Sequence, residues 1–202
     1  YAALAAAMEK ADALCRSFFR NRSVMAYGGA RLPDDLYDRI RTFSRREGVT
    51  PFMTMMAAFL TLLHRYTSQS DLPVGSTVAN RRLSELEPLI GMVVNPIVIR
   101  GDVSGNPSFR DLVQRVKRTA LDAYAHQDLP FERIVQALRP DRDPAFNPIF
   151  QVMFSFHDAP VPDIDLGDVK GSIEYRYNGS AKFDWNVIVL ARREQRVGRA
   201  HH

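Results

Sequence analysis

The stretch VTPFMTMMAAFLTLLHRYTS, residues 49–68, constrains the fold of this chain more than any other. Thr50 is placed to cap a helix, and Pro51 suits the first helical position, where its missing N–H costs nothing. The helix that follows is apolar nearly all round and so must be buried on most of its sides. Its core FMTMMAAFLTLLHRY, residues 52–66, falls short of the roughly 20 apolar residues that span a bilayer and ends abruptly in charge.

Around this helix the pattern alternates. Residues 1–20 read as an Ala-rich charged helix with no sharp core face, not as a secretory signal. LPDDLYDRIRTFSRREG predicts a helix with Leu36, Ile40 and Phe43 on one stripe, Asp34 as N-cap and Gly48 as the stop. Strands are expected at 72–79 and 93–100, with a short helix or turn at 84–92 between them. Pro96 cannot donate to a ladder and belongs at a bulge or an edge. An amphipathic helix follows from Ser108 to His126, with Phe109, Leu112, Val116, Ala120 and Tyr124 facing inward, and another covers 130–139. After a Pro- and Asp-punctuated loop at 139–150, strands are expected at 150–157, 171–179 and 182–192. This order argues α/β layers around a mixed sheet.

Composition excludes several function classes. The net charge of +4 is concentrated in RREQRVGR, residues 192–199, which leaves about +1 elsewhere, no footprint for nucleic acid. The lone Cys15 allows no disulfide framework or thiolate metal site within the chain, and a reducing, cytoplasmic setting is expected. Among the five histidines (His64, His126, His157, His201 and His202) only the terminal two are close in sequence, so no metal site is expected. YGGAR at 27–31 lacks the Lys-Ser/Thr of a phosphate loop, and no G-x-S-x-G elbow occurs.

AHQDLPFERI, residues 125–134, is the one run dense in chemistry-bearing side chains. His126 with Asp128 can be read as a base and its orienter, but each residue also has a structural reading. Asp128 can cap the following helix, and Pro130 belongs in its first turn. Phe131 anchors that helix to the core, and Glu132 complements its positive end. His126 closes the preceding helix.

HQDLPFE, residues 126–132, resembles the H-Q-D-x-P-F-E signature of condensation domains from nonribosomal peptide synthetases. LIGMVVNPIVIR (89–100) resembles the family's I-G-x-F-V-N-T-x-x-x-R signature, and RDPAFNPIF (142–150) its R-D-x-S-R-N-P-L-F. The similarity covers about residues 30–192, leaving an unplaced helical segment at 1–29 and a basic tail at 193–202. Pro96, Val93, Ala145 and Phe146 depart from the signatures, and the family's H-H-x-x-x-D-G motif does not occur.

The resemblance implies one lobe, the C-terminal, of a two-lobed domain with a chloramphenicol-acetyltransferase-like fold, a mixed sheet with packed helices. The missing motif belongs to the other lobe. In the whole domain an amide forms between an upstream acyl or peptidyl thioester and a downstream aminoacyl thioester. Both are carried on the 4'-phosphopantetheine of carrier proteins, so the chain needs no cofactor of its own. Its implied partners are the N-terminal lobe and the two carriers. Asn95, Ser76, Asn80 and His157 are the candidates to line the substrate channel. His126, Asp128, Pro130, Phe131, Glu132, Arg142, Asp143 and Asn147 are read as structural, with no catalytic residue in this lobe. Two other readings stand beside this one: a non-catalytic module that recruits a partner enzyme, and a free-standing acyltransferase on a coenzyme A thioester.

Overall fold

A computed structural model describes residues 34–79, 85, 90–91, 93–140, 146–157, 164–165, 167, 170–171 and 182–190. The segments 1–29 and 193–202 lie outside these residues, as do most of the turn expected at 84–92 and all but Gly171 of the strand expected at 171–179.

Helix α1 (Asp34–Glu47) begins at Asp34, which is therefore its first residue and not the cap position before it. It ends where the sequence requires. Gly48 takes φ +64, its N–H donates to Arg45 O, and the Val49 N–H reaches back to Ser44 O at 2.9 Å. That pair of bonds satisfies two of the last carbonyls, and glycine permits the left-handed step between them. Thr50 then caps α2 (Pro51–Thr67), accepting from the Met53 N–H at 3.2 Å.

The two helices share a buried hydrogen-bond relay. Ser44 Oγ donates its one proton to Ile40 O at 2.7 Å, so in its 2.7 Å contact with Thr54 the Thr54 hydroxyl is the donor. Ser44→Ala should therefore cost about 1–3 kcal/mol by stranding the Thr54 hydroxyl. Adding Thr54→Val should recover part of that loss, a non-additivity that urea unfolding of the two single variants and the double variant would measure.

Strands β1 (Asp71–Val78) and β2 (Asn95–Asp102) pair antiparallel at eight positions. β3 (Val152–His157) lies parallel to β1 and to β6 (Trp185–Leu190), giving the mixed order β2-β1-β3-β6. Among the described residues β2 is an edge strand, and Pro96 sits opposite Thr77 with the register unbroken, so the edge alone accommodates it. β4 (Ile164–Asp165) and β5 (Lys170–Gly171) form a separate two-stranded pairing.

One face of the sheet carries the core. Leu72 and Val74 from β1, Ile97 and Ile99 from β2, and Phe154 from β3 pack against α2 and against α3 (Phe109–Ala125). α2 contributes Met56, Leu60 and Leu63, and α3 contributes Leu112, Val113, Val116 and Ala120. Gly101 lets α2 approach the backbone of β2, since a Cβ there would run into the Leu60 side chain. Ser108 caps α3 by accepting from the Asp111 N–H at 3.2 Å, and its hydroxyl donates back to the Asp111 carboxylate at 2.6 Å.

The expected inward stripe of α3 is only partly realised. Phe109 is 42% exposed and Tyr124 half-buried. Phe109 is the first helical residue, and its ring rests on Phe43 of α1 with centroids 5.8 Å apart. Leu36 is likewise exposed.

Candidate functional site

α3 ends at a tight joint. The His126 N–H donates to Ala123 O, and His126 Nδ1 lies 2.8 Å from Asp122 O. A carbonyl only accepts, so Nδ1 carries the proton in that bond. Gln127 Nε2 donates to Tyr124 O at 2.8 Å. Burial pushes the Tyr124 phenol above its ordinary range. A few residues on, α4 (Phe131–Leu138) begins.

Asp128 does not stand at the cap of this helix. The cap position belongs to Pro130, which has no side-chain cap bond to give. Instead the first helical N–H, that of Phe131, donates to Asn95 Oδ1 at 3.2 Å, from the start of β2. Asn95 Nδ2 donates in turn to Gln127 O at 2.8 Å and Leu129 O at 2.9 Å. One side-chain amide thus serves three backbone groups of the joint. The choice of asparagine follows from its chemistry, two donors and an acceptor held coplanar. The side chain expected to face a channel is taken up in holding the joint to the sheet edge.

The ring of Phe131 continues the linkage. It lies 5.5 Å from Phe150, which lies 5.5 Å from Phe183 at the entry to β6. Phe150 covers Gly75 of β1, where any Cβ would overlap its ring. Asn147 Nδ2 donates to Lys182 O at 2.6 Å, and Gln151 Nε2 to Asn147 O at 2.9 Å. Asn95, Phe131 and Asn147–Phe150 come from the three signature segments, which therefore meet in one corner.

The remaining candidates are scattered. Ser76 lies on the helix-facing side of β1 opposite Ile97, only 4% exposed, because it continues the Leu72–Val74 alternation into the core. His157 ends β3, exposed, opposite Leu190. Glu132 is exposed in the first turn of α4. Asn80, Arg142 and Asp143 lie outside the described residues. Arg100, the last residue of its signature, grips Asp71 across the β1–β2 ladder at 2.8 and 2.6 Å. That hydrogen-bonded guanidinium holds the Asp71 carboxyl below its usual range.

The corner holds backbone and rings in place, and its described residues include no nucleophile paired with a base. Among the described residues no three His, Cys, Asp or Glu side chains gather as metal ligands, and no helix is long and apolar enough to cross a membrane. Sequence reasoning missed Gly75, Gln127 and Phe183, whose roles depend on partners distant in the chain.

Comparison with known proteins gives the corner a context. The condensation-domain family matches residues 11–196. A linear gramicidin synthase of Brevibacillus parabrevis is 45% identical over 158 residues, covering 77% of this chain and 3% of that protein. Among solved structures, a four-domain nonribosomal peptide synthetase bound to AMP and glycine superposes with a TM-score of 0.72 at 21% identity, covering 85% of this chain and 14% of that one. The complex of the X-domain and OxyB from teicoplanin biosynthesis gives 0.60 at 26% identity, covering 74% and 36%. The chain spans well under half the length of each of these relatives.

Proposed function

This chain belongs to the condensation-domain family, and we propose on that premise that it is the second of two lobes that together join carrier-bound thioesters into an amide. The observation that carries the reading is the corner itself. Three signatures far apart in sequence build one rigid junction of strand edge, helix joint and aromatic rings, with no catalytic pair among its described residues.

Such a lobe is suited to shaping and positioning. The amine of the downstream aminoacyl group attacks the upstream thioester carbonyl, the C–N bond forms, and the C–S bond breaks. The amine loses a proton, and the departing pantetheine thiolate gains one. Holding two tethered reactants in line lowers the barrier without any group here titrating. His157 and Asn80 are the positions we assign to direct channel contact. Asn95 and Ser76 fit the wall behind it, since one is bound to backbone and the other buried. The phosphopantetheine arms belong to the carriers.

A second reading has one observation in its favour. A solved relative, the X-domain, is seen in complex with OxyB, so a domain of this kind can present a surface to another protein. One assay separates the two. The chain should be joined to an upstream lobe carrying H-H-x-x-x-D-G and given carrier-bound donor and acceptor thioesters. We expect amide product from the joined domain and none above background from this chain alone. A joined domain that folds, keeps its motif and still yields no product would favour recruitment. Product from this chain alone would overturn the division of labour between lobes.

A further inference from the structure

The four-stranded sheet is unevenly zipped. β1 and β2 pair at eight positions and β3 and β6 at six, yet β1 and β3 meet in register only at Gly75 and Met153. The sheet is therefore two well-paired halves joined at a seam one pair long. Few ladder bonds cross it, so side chains must supply much of its closure.

Phe150 sits at that seam. The residue is 2% exposed, and its ring lies on the Gly75 backbone where no Cβ fits and contacts Phe131 and Phe183, each with its centroid 5.5 Å away. The chain delivers it there through a turn of three residues, in which the Phe150 N–H donates to Pro148 O at 2.9 Å. The central residue, Ile149, has φ +73. A β-branched side chain in that region is a true outlier, because its Cβ substituents crowd the adjacent carbonyls. Such strain persists only where the surroundings over-determine it.

We propose that the Pro148–Phe150 turn is a tensioned latch across the β1/β3 seam. Burial of the Phe150 ring on Gly75 holds Ile149 in its disfavoured conformation. Withdrawal of the ring relaxes the turn and lets the β1/β2 half part from the β3/β6 half. The start of α4, carried by Phe131, and the entry to β6, carried by Phe183, are released in the same event. On the helix side the seam is closed by Phe154 packed on Phe52 and Phe59 of α2, and on the opposite side its closed state is set by two opposed terms, ring burial and backbone strain.

Hydrogen exchange on the full chain tests the latch, comparing peptides covering 151–157 with peptides covering 97–101 of the β1–β2 ladder. Ile149→Asn and Ile149→Gly tolerate positive φ and should slow exchange at 151–157 by about threefold or more, while Ile149→Val, still β-branched, should leave it unchanged. Phe150→Leu should speed exchange by about tenfold at those residues of 151–157 whose N–H groups face β1 and leave 97–101 alone. Equal rates for the Asn, Gly and Val variants would show that the turn stores no tension. Acceleration of 97–101 together with 151–157 in Phe150→Leu would show that the sheet opens as one unit. Should Phe150→Leu fail to fold, the Ile149 series alone decides, since its key members are expected to be more stable than the parent.

Discussion

Gly75→Ala should lower the stability of the chain by about 3 kcal/mol, close to the loss from truncating a buried phenylalanine. The new methyl would occupy the space of the Phe150 ring, and that ring has nowhere to go. Phe131 and Phe183 both pack on it with centroids 5.5 Å away, and the turn that delivers it is already held at an unfavourable φ. The ring must leave the notch and lose its burial. Gly101→Ala makes the comparison, because the atoms it meets are the branched end of Leu60, a side chain with two rotatable bonds and not a ring. Its cost should be nearer about 1–2 kcal/mol. Urea unfolding of both variants would show the ranking. In a Phe150→Ala background the Gly75→Ala step should become almost neutral, the signature of two residues sharing one space.

Asn95→Asp should be more damaging than Asn95→Ala at neutral pH, and its damage should depend on pH. The asparagine amide donates to Gln127 O and Leu129 O at 2.8 and 2.9 Å. A carboxylate in its place sets negative charge against two carbonyl oxygens and leaves both without a donor, a loss of about 3 kcal/mol. Protonation restores one donor. Since the neighbouring carbonyls favour the neutral form, the folded-state pKa of the new carboxyl is raised above its unfolded value. Its stabilising contribution is then fully present below the unfolded pKa and lost as pH rises through the folded one. The variant should weaken relative to the parent chain from about pH 4 to about pH 7. A constant stability gap between variant and parent over that range would mean that Asn95 does not hold the joint.

These two positions also show how much of the fold is legible in the sequence. Boundaries with a local cause are readable: the Thr50–Pro51 start, the Gly48 stop and Pro96 on an edge strand. The Thr50 cap and the Gly48 stop depend on bonds spanning at most five residues, so pattern and propensity suffice, whereas Ser108, read as the start of its helix, is the cap before it. Asp128 misleads for the complementary reason. It has the chemistry of a local cap, but a side chain 36 residues from Phe131 in sequence takes the first helical N–H through tertiary contact. Ser76 misleads similarly, because alternation places it on a strand without saying which face the helices cover. Asn95 stands out in the sequence as a polar residue at a strand end, but its partners belong to the joint. Nothing local marks Gly75 as a notch or Ile149 as left-handed, since both depend on where Phe150 must be delivered. The three signatures look unrelated along the chain, and their proximity exists only in the fold.

The central claim is that HQDLPFE is architecture and that the reacting groups are served from elsewhere, and His126→Ala tests it most directly. The variant should be placed in the domain joined to its upstream lobe, and amide formation from saturating carrier-bound thioesters followed across pH. His126 Nδ1 is bonded to Asp122 O at the end of α3, so its loss should loosen the joint without touching the chemistry. The account predicts a rate reduced less than about tenfold with the pH–rate profile unchanged in shape. A fall of about 10²–10⁴-fold with one limb of that profile removed would contradict it, because that is the mark of a general base.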